Sequence, residues 1–259
     1  MQSEDKFYRA TITDRSDFAE DLWSIRVNPN GEFTHVPGQY ATLAVEVDGK
    51  PLQRAYSIVS SPYESEIEFF FELVPQGALT PRLYPLQTGD QVWMRKSAKG
   101  RFTLDLKSGH KKHLLVGTVT GMAPFVSYIR AMYKDWKEGS EHFPSGHHLY
   151  VLDGASRSHE FGYHEEVLKI AAEVPWLTAV FTVSRPWLEP EWKGETGRVD
   201  ELIRKYADMW EMTGANATGY LCGHPDMIEN GKGILKRAGF AKVFEEVYWV
   251  PAKGAAVDE

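Results

Sequence analysis

The segment Arg54-Ala55-Tyr56-Ser57 places a cation, an aromatic ring and a hydroxyl within four residues, at the end of an alternating apolar strand. A guanidinium can neutralise a pyrophosphate, a phenol ring can stack on a flat ring system, and a hydroxyl can hydrogen-bond a ring nitrogen. On a strand, Arg54 and Tyr56 lie on one face and Ser57 on the other, yet all three can reach one ligand that runs beside the strand. A ligand-free strand with a surface arginine and a half-buried tyrosine is the competing interpretation.

A second segment that could bind a ligand is the glycine-containing loop Gly117–Phe125. It follows the apolar run Leu114-Leu115-Val116 and leads into a predicted helix. Nucleotide phosphates bind at such strand-to-helix turns in open α/β sheets. Val119 is unusual here, because a β-branched residue disfavours positive φ and keeps the backbone away from a phosphate. Either Val119 has ordinary extended backbone, or the nucleotide binds in a position slightly different from the usual one at such a loop. A tight turn without a ligand is the simpler alternative.

Three arginines lie where a second phosphate could bind. Arg157 and the pair Ser184-Arg185 each follow a predicted strand, and Arg198 opens a predicted helix. Such positions share one edge of a parallel sheet, so the guanidinium groups can converge on one phosphate. A site for NAD usually offers a carboxylate to the ribose diol, whereas the 2′-phosphate of NADP needs cations. The arginines therefore favour NADP, unless they are unrelated surface residues.

The elements that must position these residues differ between the two parts of the chain. The first part contains short β-rich runs separated by turn signals, which predict a small closed antiparallel barrel. The predicted strands are Tyr8–Thr13, Leu22–Val27, Ala41–Val47, Ile67–Val74 and Gln91–Met94. One short helix is predicted over Leu79–Leu86, with Pro81 in its first turn.

After about Ser108 strands and helices alternate, which predicts βαβ units around a parallel sheet. The predicted strands are Leu114–Val119, Leu149–Leu152, Thr178–Val183, Tyr220–Cys222 and Val243–Tyr248, and the predicted helices are Ala123–Lys137, Tyr163–Glu173, Val199–Tyr206 and Pro225–Ala238. The fold class expected is thus an N-terminal antiparallel β-barrel plus a C-terminal Rossmann-like α/β domain. We expect the domains to span residues 1–108 and 109–259, with a disordered tail over about 251–259.

Composition limits the function classes. The single cysteine, Cys222, excludes an internal disulfide and a cysteine-ligated iron–sulfur cluster within this chain, and favours a reducing, cytoplasmic compartment. A formal net charge of -7 argues against a nucleic-acid partner. The longest uncharged stretch, Leu114–Ile129, is shorter than the ~20 apolar residues of a spanning helix, so no membrane insertion is expected.

Five motifs, read in order, resemble the ferredoxin–NADP reductase family, above all its bacterial branch, the ferredoxin/flavodoxin–NADP reductases. They are Arg54–Ser57, Gly77–Leu83, Gly117–Phe125, Cys222–Met227 and Tyr248-Trp249, and they extend over nearly the whole chain. The resemblance implies a FAD domain, an NADP domain and a cytoplasmic enzyme, monomeric in our expectation. Its activity would be to exchange electrons between NADP(H) and a one-electron carrier, ferredoxin or flavodoxin, through hydride transfer at flavin N5.

The resemblance also implies roles for individual residues. The FAD-binding residues would be Arg54, Ala55, Tyr56, Ser57, Phe70, Phe71, Glu72, Leu73, Ala78, Leu79, Thr80, Thr120, Tyr248 and Trp249. The NADP-binding residues would be Thr118, Arg157, Ser184, Arg185, Arg198 and Cys222. In catalysis, Ser57 would lie near flavin N5, Cys222 would position the nicotinamide, and Glu246 would support proton delivery.

Some of these roles have alternatives. From the residues alone, Cys222 is a small buried apolar group. One of Tyr248 and Trp249 would cover the flavin, but ten residues follow Trp249, so which ring stacks stays open. Two other functions are the reductase component of an oxygenase or multi-subunit complex, without its own iron–sulfur cluster, and a flavin-free nucleotide-binding regulator.

Overall fold

The computed structural model describes residues 4–248 and contains two six-stranded sheets. The first sheet is built from β1 (Phe7–Ala19), β2 (Leu22–Asn28), β3 (Tyr40–Val47), β4 (Lys50–Ser57), β5 (Ile67–Glu72) and β6 (Gln91–Arg95). Its strands pair antiparallel in the order β4-β3-β6-β1-β2-β5. A bridge between Ile58 and Phe69 joins the two edges and closes the barrel, as predicted.

Strand β1 extends well beyond the predicted Tyr8–Thr13. Its pairing with β2 shifts register between Ile12 and Asp14 and again between Asp17 and Ala19. Such bulges bend a strand and increase its twist, which allows a single long strand to follow the curve of a small barrel. The polar residues from Asp14 to Asp17 therefore continue the strand, where their composition had indicated its end.

The helix predicted over Leu79–Leu86 is shorter in the structure, where α1 comprises Thr80–Leu83. Pro85 explains the difference, because it has no N–H to donate to the Pro81 carbonyl, so the helical hydrogen bonds end with that of Tyr84, which itself keeps helical backbone. Leu79 and Leu83 are buried in the barrel core, so α1 caps one end of the barrel.

The second sheet has alternating strands and helices, as predicted. They are β7 (Lys112–Thr118), α2 (Ala123–Lys137), β8 (His148–Ala155), α3 (His164–Glu173), β9 (Leu177–Val183), β10 (Glu195–Thr196), α4 (Val199–Met209), β11 (Ala217–Gly223), α5 (Pro225–Arg237) and β12 (Val243–Val247). All pairs are parallel, in the order β10-β9-β8-β7-β11-β12. The order in which strands are added reverses between β7 and β11, because β8, β9 and β10 lie on one side of β7 and β11 and β12 on the other. Open α/β sheets bind ligands at the carboxyl edge of such a point.

A buried ionic group joins the two sheets. The Glu68 carboxylate on β5 accepts hydrogen bonds from Arg26 of β2 at 2.6 Å, from Arg130 of α2 at 2.6 Å and from the Tyr163 hydroxyl at 2.8 Å. Glu68 is only 4% exposed. We call these four residues the Glu68 cluster, and it fixes the barrel against the helices of the parallel sheet.

The connection from β6 to β7 carries the chain from one sheet to the other. The expected domain boundary after residue 108 falls within it and stays a prediction, while the expected disordered tail lies outside the described residues. None of the helices in residues 4–248 is both long and apolar enough to cross a membrane.

Candidate functional site

The three residues predicted to take part in catalysis lie together where the two sheets meet. Ser57 is the last residue of β4, Cys222 belongs to β11, and Glu246 belongs to β12. Cys222 and Glu246 are direct partners in the parallel ladder. The Ser57 hydroxyl donates a hydrogen bond to the Glu246 carboxylate at 3.4 Å. A barrel strand thus contacts the edge of the parallel sheet through one polar pair.

The surroundings of these side chains shift their proton affinities. Burial raises the pKa of Glu246 to about 7, although the hydrogen bond from Ser57 opposes part of the rise. Glu246 therefore gains and loses a proton near neutral pH. Burial, with the nearby Glu246 charge, raises the pKa of Cys222 well above its usual value. Since the thiolate is the nucleophilic form, a neutral buried thiol fits a positioning role.

Tyr248 extends the same cluster toward the glycine-containing loop. Its hydroxyl donates to the Thr120 carbonyl at 3.2 Å, and its side chain interacts with those of Cys222 and Ser57. The residue remains 37% exposed. Trp249 lies outside the described residues, so the question of which ring covers a flavin stays open.

A seam in the barrel lies beside Ser57. Among the described residues, β4 pairs with β3 and β5 with β2, and the Ile58–Phe69 bridge joins their free edges. Continued past this bridge, the register sets Arg54–Ser57 opposite Phe70–Leu73, and the rings of Tyr56 and Phe71 are 4.8 Å apart. Backbone N–H and C=O groups along the two strand edges are left without a ladder partner there.

This seam fits a flat ligand with a polar edge. An isoalloxazine carries donors and acceptors along its rim, and unpaired strand edges supply the complementary groups. Phe70 and Phe71 could offer only backbone to such a ligand, because their side chains are buried at 4% and 1% exposure. Phe71 stacks on Trp23 inside the barrel, and Phe70 packs against Tyr163 between the sheets. Both side chains therefore lie in packed interior, and only the backbone of these two residues borders the seam.

Further groups expected at the FAD lie around the seam. The guanidinium of Arg54 is exposed and donates to the Gln53 carbonyl at 2.8 Å. Ala78 is exposed, Leu79 is buried, and the Thr80 hydroxyl accepts from the Val74 amide at 3.1 Å. A helix of one turn has few aligned peptide dipoles. The dipole of α1 would therefore contribute little to binding a pyrophosphate at this position, and the exposed backbone is the group that could bind one.

The glycine-containing loop is held against the carboxyl end of β11. The Thr118 hydroxyl accepts from the His224 amide at 2.8 Å. A Cβ at Gly121 would lie 2.2 Å from the Cys222 carbonyl oxygen, so only glycine allows this approach. Between these anchors Val119 has φ 47°, and the interpretation that it has extended backbone is wrong. Left-handed backbone at a β-branched residue costs on the order of 1–3 kcal/mol.

The three arginines lie along neighbouring strand ends of the same sheet. Ala155 and Val183 are partners in the β8–β9 ladder. Arg157 and Arg185 each lie two residues after one of these partners. Arg198 is placed beside them because the preceding residue, Gly197, donates its amide to the Val183 carbonyl at 2.9 Å.

All three arginines are exposed. Arg198 lies 3.4 Å from Asp200, whereas Arg157 and Arg185 form no ion pair among residues 4–248. Their charges are thus available to an anionic ligand.

Two residues beside these arginines, Ser158 and Glu189, hydrogen-bond each other and were not predicted as site residues. Ser158 begins one short 3-10 helix and Glu189 follows another, and neither periodicity nor a motif marks such short segments. A groove of about 660 Å³ lies between the β1–β2 turn and His159, and Leu73 is the one predicted site residue in its lining.

Comparisons with known proteins agree with this arrangement. Residues 10–104 match the family model described as an oxidoreductase FAD-binding domain, and residues 115–232 match an oxidoreductase NAD-binding domain. A ferredoxin–NADP reductase of Pseudomonas aeruginosa is 29% identical over 228 residues, which cover 85% of each chain. A flavodoxin/ferredoxin–NADP reductase of Buchnera aphidicola is 29% identical over 88% of this chain and 93% of the relative.

A crystal structure of a ferredoxin NADP+ reductase from Neisseria gonorrhoeae, with bound FAD and NADP, has the same fold. Its TM-score is 0.81 at 19% sequence identity, and the match covers 94% of this chain and 99% of that chain.

Proposed function

Because the chain belongs to the ferredoxin/flavodoxin–NADP reductase family, we propose that it moves electrons between NADP(H) and a one-electron carrier by way of a bound FAD. The observation that carries this proposal is the contact of Ser57 with Glu246. It places the open barrel seam directly beside the carboxyl ends of β7 and β11, so a flat redox group and a nicotinamide can meet.

When bound, FAD supplies a two-electron hydride acceptor that can release electrons one at a time. The strand edges Arg54–Ser57 and Phe70–Leu73 would hold its ring, and Tyr56 would lie against it. Arg54 would neutralise its pyrophosphate near Ala78 and Thr80. These assignments are supported by the exposure of Arg54 and by the unpaired strand edges.

Thr118 and Cys222 would orient the nicotinamide, and Arg157, Arg185 and Arg198, together with Ser184, would bind the 2′-phosphate. Catalysis in such a site is largely a matter of orientation, since most of the barrier reduction comes from holding the reacting groups together. The left-handed backbone of Val119 supports this, because it fixes the path of the loop between Thr118 and Gly121.

Ser57 and Glu246 would exchange a proton at the flavin edge. A carboxyl with a pKa of about 7 is half protonated near neutral pH, which suits a group that both accepts and returns a proton. The hydroxyl of Ser57 links Glu246 to the seam.

The partner would be a small acidic carrier, a ferredoxin or flavodoxin. Lys96, Lys99 and Arg101 follow strand β6, and all three are exposed. Exposed cations of this kind increase the encounter rate with acidic proteins at low salt. A monomeric state and a cytoplasmic location stay predictions.

The test is stopped-flow reduction of the FAD-loaded protein by NADPH and by NADH, followed by reoxidation with ferredoxins and flavodoxins. We expect a yellow protein, bleached faster by NADPH, that passes electrons singly to one of these carriers. Reduction by NADPH with reoxidation only by an oxygenase component would favour the oxygenase alternative. A colourless protein that cannot be reconstituted with FAD would favour the regulator.

A further inference from the structure

The segment after β9 turns back on the segment after β8 and is fastened there by one carboxylate. Glu189 accepts hydrogen bonds from the Ser158 amide and from the Ser158 hydroxyl, both at 2.8 Å. Each of the two carboxylate oxygens accepts one of these hydrogen bonds, so the contact fixes both the position and the orientation of the Glu189 side chain relative to Ser158. The turn that carries Glu189 bears the side chain of Trp187, which is 71% exposed, so apolar packing of that ring does not fasten the segment.

This contact ties together the two segments that carry Arg157 and Arg185. Ser158 follows Arg157 directly, and the Leu188 amide donates to the Arg185 carbonyl at 3.0 Å, which closes a turn between Arg185 and Glu189. The backbones are also joined at the other end, where the Arg185 amide donates to the Ser156 carbonyl at 3.1 Å. Arg157 and Arg185 are thus bracketed by one backbone link and one side-chain link.

We propose that Glu189 is a positioning residue for 2′-phosphate recognition, which holds Arg157 and Arg185 at the spacing that one phosphate requires. The inference rests on the proposed function. Because the backbone at Arg157 and Arg185 is held in place before the ligand binds, less conformational entropy is lost when their side chains bind it. Glu189 acts through Ser158 and touches no ligand itself.

The charge of Glu189 makes the direction of its effect informative. A carboxylate beside a phosphate site repels the phosphate, so loss of charge alone would tighten binding. If Ser158 bound the phosphate directly, removal of Glu189 would free two donors and again tighten binding. Only the positioning role predicts weaker binding when Glu189 is removed.

The experiment compares Glu189→Ala, Ser158→Ala, the double variant and Glu191→Ala in the FAD-loaded protein. Glu191 is the matched control, because it is an exposed carboxylate in the same segment with no hydrogen bond or ion pair among the described residues. The probes are adenosine 2′,5′-bisphosphate and adenosine 5′-monophosphate, titrated by calorimetry. Steady-state kinetics with NADPH and NADH give a second readout.

We expect Glu189→Ala to weaken binding of the bisphosphate by about tenfold and to leave the monophosphate unchanged. The KM for NADPH should rise by a similar factor while kcat and the KM for NADH stay constant. The double variant should lose no more than Glu189→Ala, since both changes break one contact. Glu189→Gln, which keeps one acceptor oxygen, should fall between the wild type and Glu189→Ala.

Unchanged or tighter bisphosphate binding in Glu189→Ala would overturn the inference, as would an equal loss in Glu191→Ala or additive losses in the double variant. Thermal unfolding and far-ultraviolet circular dichroism of each variant identify a general loss of folding, in which case Glu189→Gln decides. Failure of the proposed function is distinct, because the wild type would then bind both probes equally and not react with NADPH.

Discussion

Replacing Glu246 with glutamine should make the protein more stable, and increasingly so as the pH rises. The rise in the pKa of Glu246 from 4.5 to about 7 means that the folded protein disfavours the ionised carboxylate. At 1.36 kcal/mol for each tenfold change, the full difference is about 3 kcal/mol. Glutamine is uncharged, has nearly the same shape, and can still accept the hydrogen bond from Ser57.

The sign follows from the two pKa values. Below 4.5 the carboxyl is protonated in both the folded and the unfolded chain, so ionisation contributes nothing to the free energy of unfolding. Above 4.5 the unfolded chain ionises first, and the wild type loses stability until the folded carboxyl ionises near 7. The stability gained by Glu246→Gln should therefore grow through this window and then level off at about 3 kcal/mol.

Urea unfolding, followed by tryptophan fluorescence at several pH values from about 4.5 to 8, measures this difference. Glu245→Gln is the control, because Glu245 is an exposed neighbour on the same strand, paired with Lys232 at 2.8 Å. A stability difference for Glu246→Gln that is the same at every pH would refute the reasoning. Glu246→Gln should also lose any inflection near neutral pH in the rate of flavin reduction by NADPH.

Three further changes test other parts of the molecule. Arg185→Ala should raise the KM for NADPH at least tenfold, about 1.4 kcal/mol, and spare NADH in steady-state assays, whereas equal losses for both nucleotides would contradict the 2′-phosphate assignment. Val119→Gly should be more stable than Val119→Ala by about 1 kcal/mol in urea unfolding, the reverse of the usual order, because glycine accepts positive φ without strain. Glu68→Gln should destabilise the protein by about 2 kcal/mol, since Arg26 and Arg130 each lose one carboxylate partner and keep only Glu64 and Glu166, and Glu66→Gln, one residue before strand β5, should have little effect.

Much of the architecture was predictable because local sequence and global fold agree. The alternation of apolar runs and turns indicated a barrel and then βαβ units, and the apolar run before Gly117 identified β7. Helix α2 has its predicted bounds, Ala123–Lys137, because Pro124 lies in its first turn, where proline is tolerated, and no later proline or glycine interrupts its apolar periodicity. The order of the motifs along the chain was enough to indicate the family.

The rest depended on contacts that a pattern does not contain. Strand β10 is only Glu195–Thr196, too short to show any period. The left-handed backbone of Val119 arises because distant residues anchor both sides of it, against its own preference. The link between Ser158 and Glu189 joins residues from two different loops, so sequence spacing carries no sign of it.

The seam beside Ser57 has a consequence for the protein before it acquires its flavin. Two strand edges with free hydrogen-bonding groups are a template on which another chain can add, and such edges lead to aggregation. Lys50 and Arg54 on β4 and Glu72 on β5 place charges along these edges, which discourages that addition. Flavin would complete the protection by filling the seam, so loss of the cofactor should make the protein prone to association as well as inactive.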